Sequence, residues 1–297
     1  MKVYNRNTTG SPQAHYRFYD FDRFEHPGKF VFIDSPQVFT EMPREIFEEK
    51  IVYLELEEPN RFFVNVDWFN HFDYDKYFFK IFSICPYTTK WLNSIYGTNR
   101  EHTFIPICHK EQSTEKLYDI IYAGHIYEGN IENDVSILKH FNYRIVSNTD
   151  HPMTTNKCAT HNEKLRLIAQ SKISLVHNLL YPTIDHIDFI KTIPEYHKNE
   201  AFSLLDWGIV PQIKGRTFEA ALCKSLILCQ RDPFNVIEHY FDPNKDFIYY
   251  DKEHIKEQIT DILDNYEIYL PIIESAYSKA QQYTTESFFN KHLRNLT

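Results

Sequence analysis

Glycine is scarce, with seven in 297 residues, and none forms a Gly-rich phosphate loop of the Walker or dinucleotide-binding type. The five cysteines, at positions 85, 108, 158, 223 and 229, are odd in number and lack short paired spacing. This excludes a disulfide framework and a zinc-ribbon pattern. No long run of one charge sign occurs and the net charge is −9, so the basic face of a general nucleic-acid binder is missing and no nucleic-acid partner is expected. No stretch reaches the roughly 18 apolar residues of a membrane span, and the opening MKVYNRNTTGSP has no apolar signal region. A Gly-x-Ser-x-Gly elbow is absent, as is a His-x-x-x-His pair on an acidic helix. Their absence argues against an α/β serine hydrolase and a zinc enzyme.

What remains is a chain of the size of two domains. Its 42% hydrophobic content is sufficient for two cores. The 24 Phe and 21 Tyr read either as core filling in place of Leu and Val or as flat surfaces for sugar rings. Three cysteines lie in or beside apolar strands, where a free thiol behaves as a small hydrophobe. Together with the missing signal region, this predicts a soluble cytoplasmic protein.

Apolar runs alternate with helical patterns along the chain. Strands are predicted at Lys29 to Ile33, Ile51 to Leu56, Tyr77 to Cys85 and Thr103 to Cys108, with helices at Pro43 to Glu49 and Pro86 to Tyr96. A polar stretch, Lys110 to Leu117, marks a domain boundary. Beyond it come strands at Asp119 to Gly124, Tyr143 to Asn148 and Lys172 to His177, with helices near Asn130 to Phe141 and over His161 to Gln170. A loop and a helix from about Pro194 follow, and three helices close the chain, over Glu253 to Asn265, Ile268 to Gln281 and Thr285 to Leu296. Strands separated by helices predict parallel sheets with helices on their faces.

The most informative stretch is IVPQIKGRTFEAALCKSLILCQRDPFNVIEHYFDPNKDFIYYD, from Ile209 to Asp251. Lys214-Gly215-Arg216-Thr217 reads as a basic loop and Phe218 to Cys223 as a helix, because Glu, Ala and Leu are good helix formers. Strands follow at Ser225 to Cys229 and Asp246 to Tyr250. Two cations and a glycine leading into a helix N-terminus suit a phosphate group, since the first helical amides lack internal partners and the helix dipole favours negative charge there. The alternative is a solvated surface loop with Glu219 as an ordinary helix-start residue.

GRTFEAALCKSLILC followed by FDPNKDFIYYD resembles the donor-binding segment of group-1 glycosyltransferases of the GT-B type, and within them the spore-maturation-protein-like branch. The branch pattern is Arg-x-Phe-Glu, a small-residue helix, Gly, an apolar strand, a gap and an aromatic-rich strand. Its Arg, Phe and Glu match Arg216, Phe218 and Glu219. Its Gly is Lys224 here, at a position that often needs a left-handed backbone. A second Glu, eight residues before the first in many retaining relatives, is Pro211 here with Gln212 next, so the resemblance carries no anomeric outcome. It is strongest over 205–251, fainter over 117–180 and architectural before that.

The resemblance implies two Rossmann-like domains with a cleft between them and C-terminal helices: an acceptor domain over 1–115 and a nucleotide-sugar donor domain over 116–297. It implies transfer of a sugar from a nucleotide-sugar donor to a glycan or other surface polymer, with no metal and no cofactor beyond the donor itself. Lys214 and Arg216, with the amides of Thr217 and Phe218, are the expected diphosphate contacts, and Glu219 the ribose acceptor. Gly124, His125, Asn148 and Asn178, with Ser147, follow parallel strands, where ligands bind in open α/β sheets. An inverting reaction also needs a base near the acceptor hydroxyl. Asp34 is the expected base, with Glu57, Glu58 and His109 as lesser candidates. Two Asp-x-Asp triplets, Asp20-Phe21-Asp22 and Asp73-Tyr74-Asp75, raise a metal-dependent GT-A enzyme as an alternative; a sugar-nucleotide-binding module without catalysis is another. Oligomeric state stays open.

Overall fold

The computed structural model describes residues 2–4, 20–24, 30–33, 48–56, 77–108, 115–126, 131–181, 188 and 209–296. In chain order the strands are β1 (Lys2–Tyr4), β2 (Phe30–Ile33), β3 (Lys50–Glu55), β4 (Phe78–Ser83), β5 (Arg100–His102), β6 (Tyr118–Ala123) and β7 (Tyr143–Ser147). There follow β8 (Asn156–Lys157), β9 (Ser171–Val176), β10 (Leu179–Leu180), β11 (Val210–Pro211), β12 (Leu226–Gln230) and β13 (Ile248–Tyr250). The chain divides into two compact units. One comprises Met1–Pro106, Leu179–Gln212 and Thr285–Thr297; the other comprises Ile107–Asn178 and Ile213–Thr284.

In the first unit, β1 to β5 form a parallel sheet in sequence order, and β10 pairs antiparallel with β11. Helix α1 (Pro86–Tyr96) starts with Pro86 and stops at Gly97, whose φ of +63° is the left-handed stop that glycine supplies without steric cost. The predicted strand over 103–108 is displaced. The paired residues are Arg100–His102, and beyond them Ile107 makes only an isolated bridge. Pro106 has no N–H to donate to a ladder, while Glu101 ties this edge to Lys80 of β4 at 2.5 Å. The C-terminal helix is two pieces, α7 (Thr285–Phe288) and a π turn over Phe289–Leu293. This turn sets His292 against Phe82, Phe104 and Phe288. Its Nε2 lies 3.0 Å from Thr103 Oγ1 and its Nδ1 3.3 Å from Glu101. Burial pushes this imidazole down to about 4, so it is neutral near pH 7.

The second unit carries a six-stranded parallel sheet in the order β13-β12-β9-β6-β7-β8. Read from β8, this is 3-2-1-4-5-6, the doubly wound Rossmann order, and its switch point lies between β6 and β9. Side chains alternate across a strand, and β6 shows why both faces need cover. Ile120 and Tyr122 join Ile173, Leu175, Leu226 and Leu228 beneath α5 (Ile255–Asp264) and α6 (Tyr266–Ala280). Ile121 instead packs on Leu165, Leu167 and Ile168 of α3 (His161–Ala169). Helix α5 buries Ile255, Ile259 and Ile262, the one-face spacing of an amphipathic helix. Thr160 caps α3, accepting from the Glu163 amide at 3.2 Å. The helix predicted near 130–141 is α2 (Ile131–Ser136) followed by a 3-10 turn. At the far end of the sheet Lys116 donates to the carbonyls of Ala169, Ser171 and Lys224 at 2.8, 3.1 and 2.6 Å. Burial pushes its ammonium down to about 8.

The helix predicted over 43–49 falls almost wholly outside the described residues, and the one predicted from about 194 entirely so. Among the described residues no helix is long and apolar enough to cross a membrane.

Candidate functional site

One buried side chain sets the basic loop. Asn178, two residues past β9 and fully buried, accepts on Oδ1 from the Lys214 amide at 2.9 Å and the Thr217 hydroxyl at 3.0 Å. Its Nδ2 faces Cys229 Sγ of β12 at 3.7 Å. Helix α4 therefore spans Gly215–Leu222, three residues earlier than predicted, with Lys214 extended as its N-cap at φ −103°, ψ 139°. Local propensity could not foresee this, because the groups that hold the loop lie 36 and 39 residues apart in sequence.

The earlier start changes which amides face outward. Thr217 N–H donates to Lys214 O at 3.0 Å, and the outward amides of a helix begin at its first residue, Gly215. The Phe218 ring is fully buried, with ring centroids 5.1, 5.9 and 5.0 Å from Tyr240, Phe241 and Tyr283. Thr217 and Phe218 thus anchor the helix by their side chains, while half-buried Lys214 and Arg216 lie at its mouth.

Arg216 reaches back to the switch point. Its guanidinium lies 5.1 Å over the Tyr122 ring and places Nη1 3.3 Å from His177 Nε2. The Tyr122 hydroxyl donates to His125 O at 2.7 Å and lies 3.1 Å from the same His177 nitrogen. A Cβ added at Gly124 would collide with the guanidinium, so a side chain at this position would push that flexible end aside. The ends of β6 and β9 and the start of α4 therefore converge on one cation. Asn148 is exposed just past β7, one strand further out, and buried Ser147 uses its hydroxyl to accept from the Thr149 amide at 3.0 Å.

Glu219 stands three residues after Arg216, on the same helix face. It is 3% exposed. Its Oε1 accepts from Lys164 Nζ at 2.6 Å, and His161 Nδ1 lies 4.0 Å away. Its Oε2 is buried without a hydrogen-bond partner among the described residues. Burial raises the carboxyl, but Lys164, His161 and Arg216 outweigh it and hold the pKa below the ordinary carboxylate value. Sequence reading did not single out Lys164, His161 or His177. The first two sit in the first turn of α3, where they resemble a solvated helix start, and His177 was read only as a strand end.

Asp232, beyond β12, accepts on Oδ1 from the amides of Phe234 and Val236 at 2.9 and 3.3 Å. Burial pushes its carboxyl up to about 6. Asp34, Glu57, Glu58, His109 and the triplet Asp73-Tyr74-Asp75 lie outside the described residues. In the other triplet, Asp20 is buried, precedes a 3-10 turn and pairs with Arg23 Nε at 2.9 Å. Among the described residues no group of three His, Cys, Asp or Glu is arranged to hold a metal.

Chemically, the switch point offers a guanidinium and a helix N-terminus to an anion, with a buried, half-satisfied carboxylate one turn behind. Two parallel sheets with helices, one in Rossmann order with this cationic switch point, define the chain as an α/β protein of the GT-B class. Solved structures with this fold include TarM of S. aureus, in complex with fondaparinux, alpha-GlcNAc-glycerol and UDP. It has a TM-score of 0.57 at 10% identity over 89% of this chain and 54% of that one. Anabaena HepE in complex with UDP-glucose gives 0.56 at 8% identity over 88% and 76%. Sucrose-phosphate synthase from Thermosynechococcus elongatus gives 0.51 at 8% over 94% and 74%. The chain thus spans about half the length of TarM. No curated protein matches the sequence. Residues 135–290 match the glycosyl transferase-like family; this is more than half of the chain, and the chain belongs to that family.

Proposed function

We propose that this chain is a glycosyltransferase that moves a sugar from a nucleotide-sugar donor to a glycan or other surface-polymer acceptor without a metal. The observation that carries the reading is the Arg216 guanidinium poised over Gly124 at the β6/β9 switch point. In transfer, the bond between the anomeric carbon and the diphosphate oxygen breaks as the bond to the acceptor oxygen forms. The charge left on the diphosphate is met by Lys214, Arg216 and the N-terminus of α4. Glu219 accepts from the ribose hydroxyls. Gly124 leaves room for the guanidinium that meets the phosphates, and His125 and Asn148 line the strand ends. Asn178 acts by shaping the loop.

Residues 116–297 bind the donor and 1–115 the acceptor, with Asp34 taking the acceptor proton. Arg216, Phe218 and Glu219 support a reading within the spore-maturation-protein-like branch. The match of residues 135–290 with the glycosyl transferase-like family, and the UDP or UDP-glucose held by TarM and HepE, support the donor class. Five free cysteines, four of them buried, support a reducing compartment, and we place the protein in the cytoplasm.

Pro211, where many retaining relatives carry a second Glu, favours one alternative: a module that binds the sugar nucleotide without catalysis. A melting screen against UDP, GDP, CDP and their sugars identifies the donor, since a ligand of the native state raises its apparent stability. Purified protein is then given that donor with excess chelator. Donor turnover is the expected result. Stabilisation without turnover supports the binding module, and turnover abolished by chelator contradicts metal independence.

A further inference from the structure

Removing a carboxylate from water is costly unless it is paired. Glu219 is paired on one side only: Lys164 from α3 saturates Oε1 at 2.6 Å, while buried Oε2 accepts nothing among the described residues. The Lys164 side chain is itself 15% exposed. A pair serving stability alone gains most when both oxygens are satisfied. This one has its carboxyl held below the ordinary carboxylate value, locked on one oxygen and, among the described residues, buried but unpartnered on the other.

We propose that Lys164 is a positioning residue that fixes and charges Glu219 so that Oε2 accepts a hydrogen bond from a ribose hydroxyl of the donor nucleotide. This rests on the reading of Glu219 as the ribose acceptor. Lys164 acts through Glu219 and does not itself touch the nucleotide. The charged groups facing Glu219 are Lys164 and His161 from α3 and Arg216 from its own helix. Burial works against all three, so loss of the ammonium raises the carboxyl.

The test is calorimetric titration of UDP into wild type, Lys164→Met, Lys164→Arg, Glu219→Gln and the Glu219→Gln/Lys164→Met double variant. Lys164→Met is expected to bind about tenfold more weakly at neutral pH, the scale of one charge-assisted hydrogen bond. As pH drops from about 8 to about 5.5 its affinity falls more steeply than that of wild type, since both proteins share the titration of the terminal phosphate and only the variant also protonates Glu219. His161 and Arg216 are common to both proteins, so the difference belongs to Lys164. Lys164→Arg restores binding to within about threefold of wild type, because it restores the charge. Glu219→Gln binds more weakly than wild type, and adding Lys164→Met to it changes nothing further.

Wild-type affinity and pH profile in Lys164→Met overturn the proposal. Further weakening in the double variant does so too, since Lys164 would then contact the ligand directly. Should Lys164→Met fail to fold, the comparison of Glu219→Gln with the double variant, which buries no unpaired charge, decides together with Lys164→Arg. A wild type that binds no nucleoside diphosphate overturns the donor reading itself, and this inference with it.

Discussion

Lys224 holds a backbone φ of +52°, in the region where a Cβ costs roughly 1–2 kcal/mol. The resemblance has glycine at this place, and the strained backbone was legible from that alone. What offsets it was not. The Lys224 carbonyl accepts from half-buried Lys116, its ammonium reaches both oxygens of Glu274 at 2.8 Å, and it lies 4.5 Å over the Tyr277 ring. Asp232 gives the sharpest pH prediction. Its carboxyl stands at about 6 in the fold against 3.8 ordinarily, so the folded state binds this proton more tightly than the unfolded chain does. Its stabilising contribution is full below about pH 4 and is lost as pH rises through about 6. Above that, the fold carries a buried charge at a cost of up to about 3 kcal/mol. Asp232→Asn keeps an oxygen for the Phe234 and Val236 amides. Urea unfolding should show the variant more stable than wild type at pH 7.5 and equal to it near pH 4. Equal stability at both pH values would refute this assignment.

Elements whose burial follows from a local apolar run were legible. β2, β3, β9 and β12, and the helices α3, α5 and α6, lie within a residue or two of where the apolar pattern puts them, because a continuous buried run specifies the strands and an apolar stripe the helices. Elements fixed by distant partners were not. The edge strand β5 has charged residues rather than an apolar run, and the last helix widens into a π turn where His292 meets an aromatic box. The start of α4 depends on Asn178, far away in sequence. Asn178→Ala leaves the Lys214 amide without this acceptor and should cost about 1–3 kcal/mol. It should also weaken nucleotide binding at least as much as Arg216→Ala does, because both cations and the outward amides move together. Wild-type nucleotide affinity in a folded Asn178→Ala protein would show that the loop needs no such anchor.

At the scale of the whole molecule, alternating strand and helix patterns announced parallel sheets, and the six-stranded sheet in Rossmann order is the result. The sequence also singled out strand ends that the fold brings near one another. Gly124, His125 and Asn178 were flagged because they follow strands, and Arg216 because it precedes a helix. Nothing local told that the Arg216 guanidinium fills the space above Gly124, or that Lys164, 55 residues before Glu219, holds that carboxylate. The account depends on Arg216 and Glu219 acting as one donor site within this sheet. Calorimetric titration of UDP into wild type, Arg216→Ala and Glu219→Ala tests it most directly. The prediction is a loss of about tenfold or more in each variant, the equivalent of a charge-assisted hydrogen bond, with each protein still folded by circular dichroism. Wild-type affinity in both variants would contradict it.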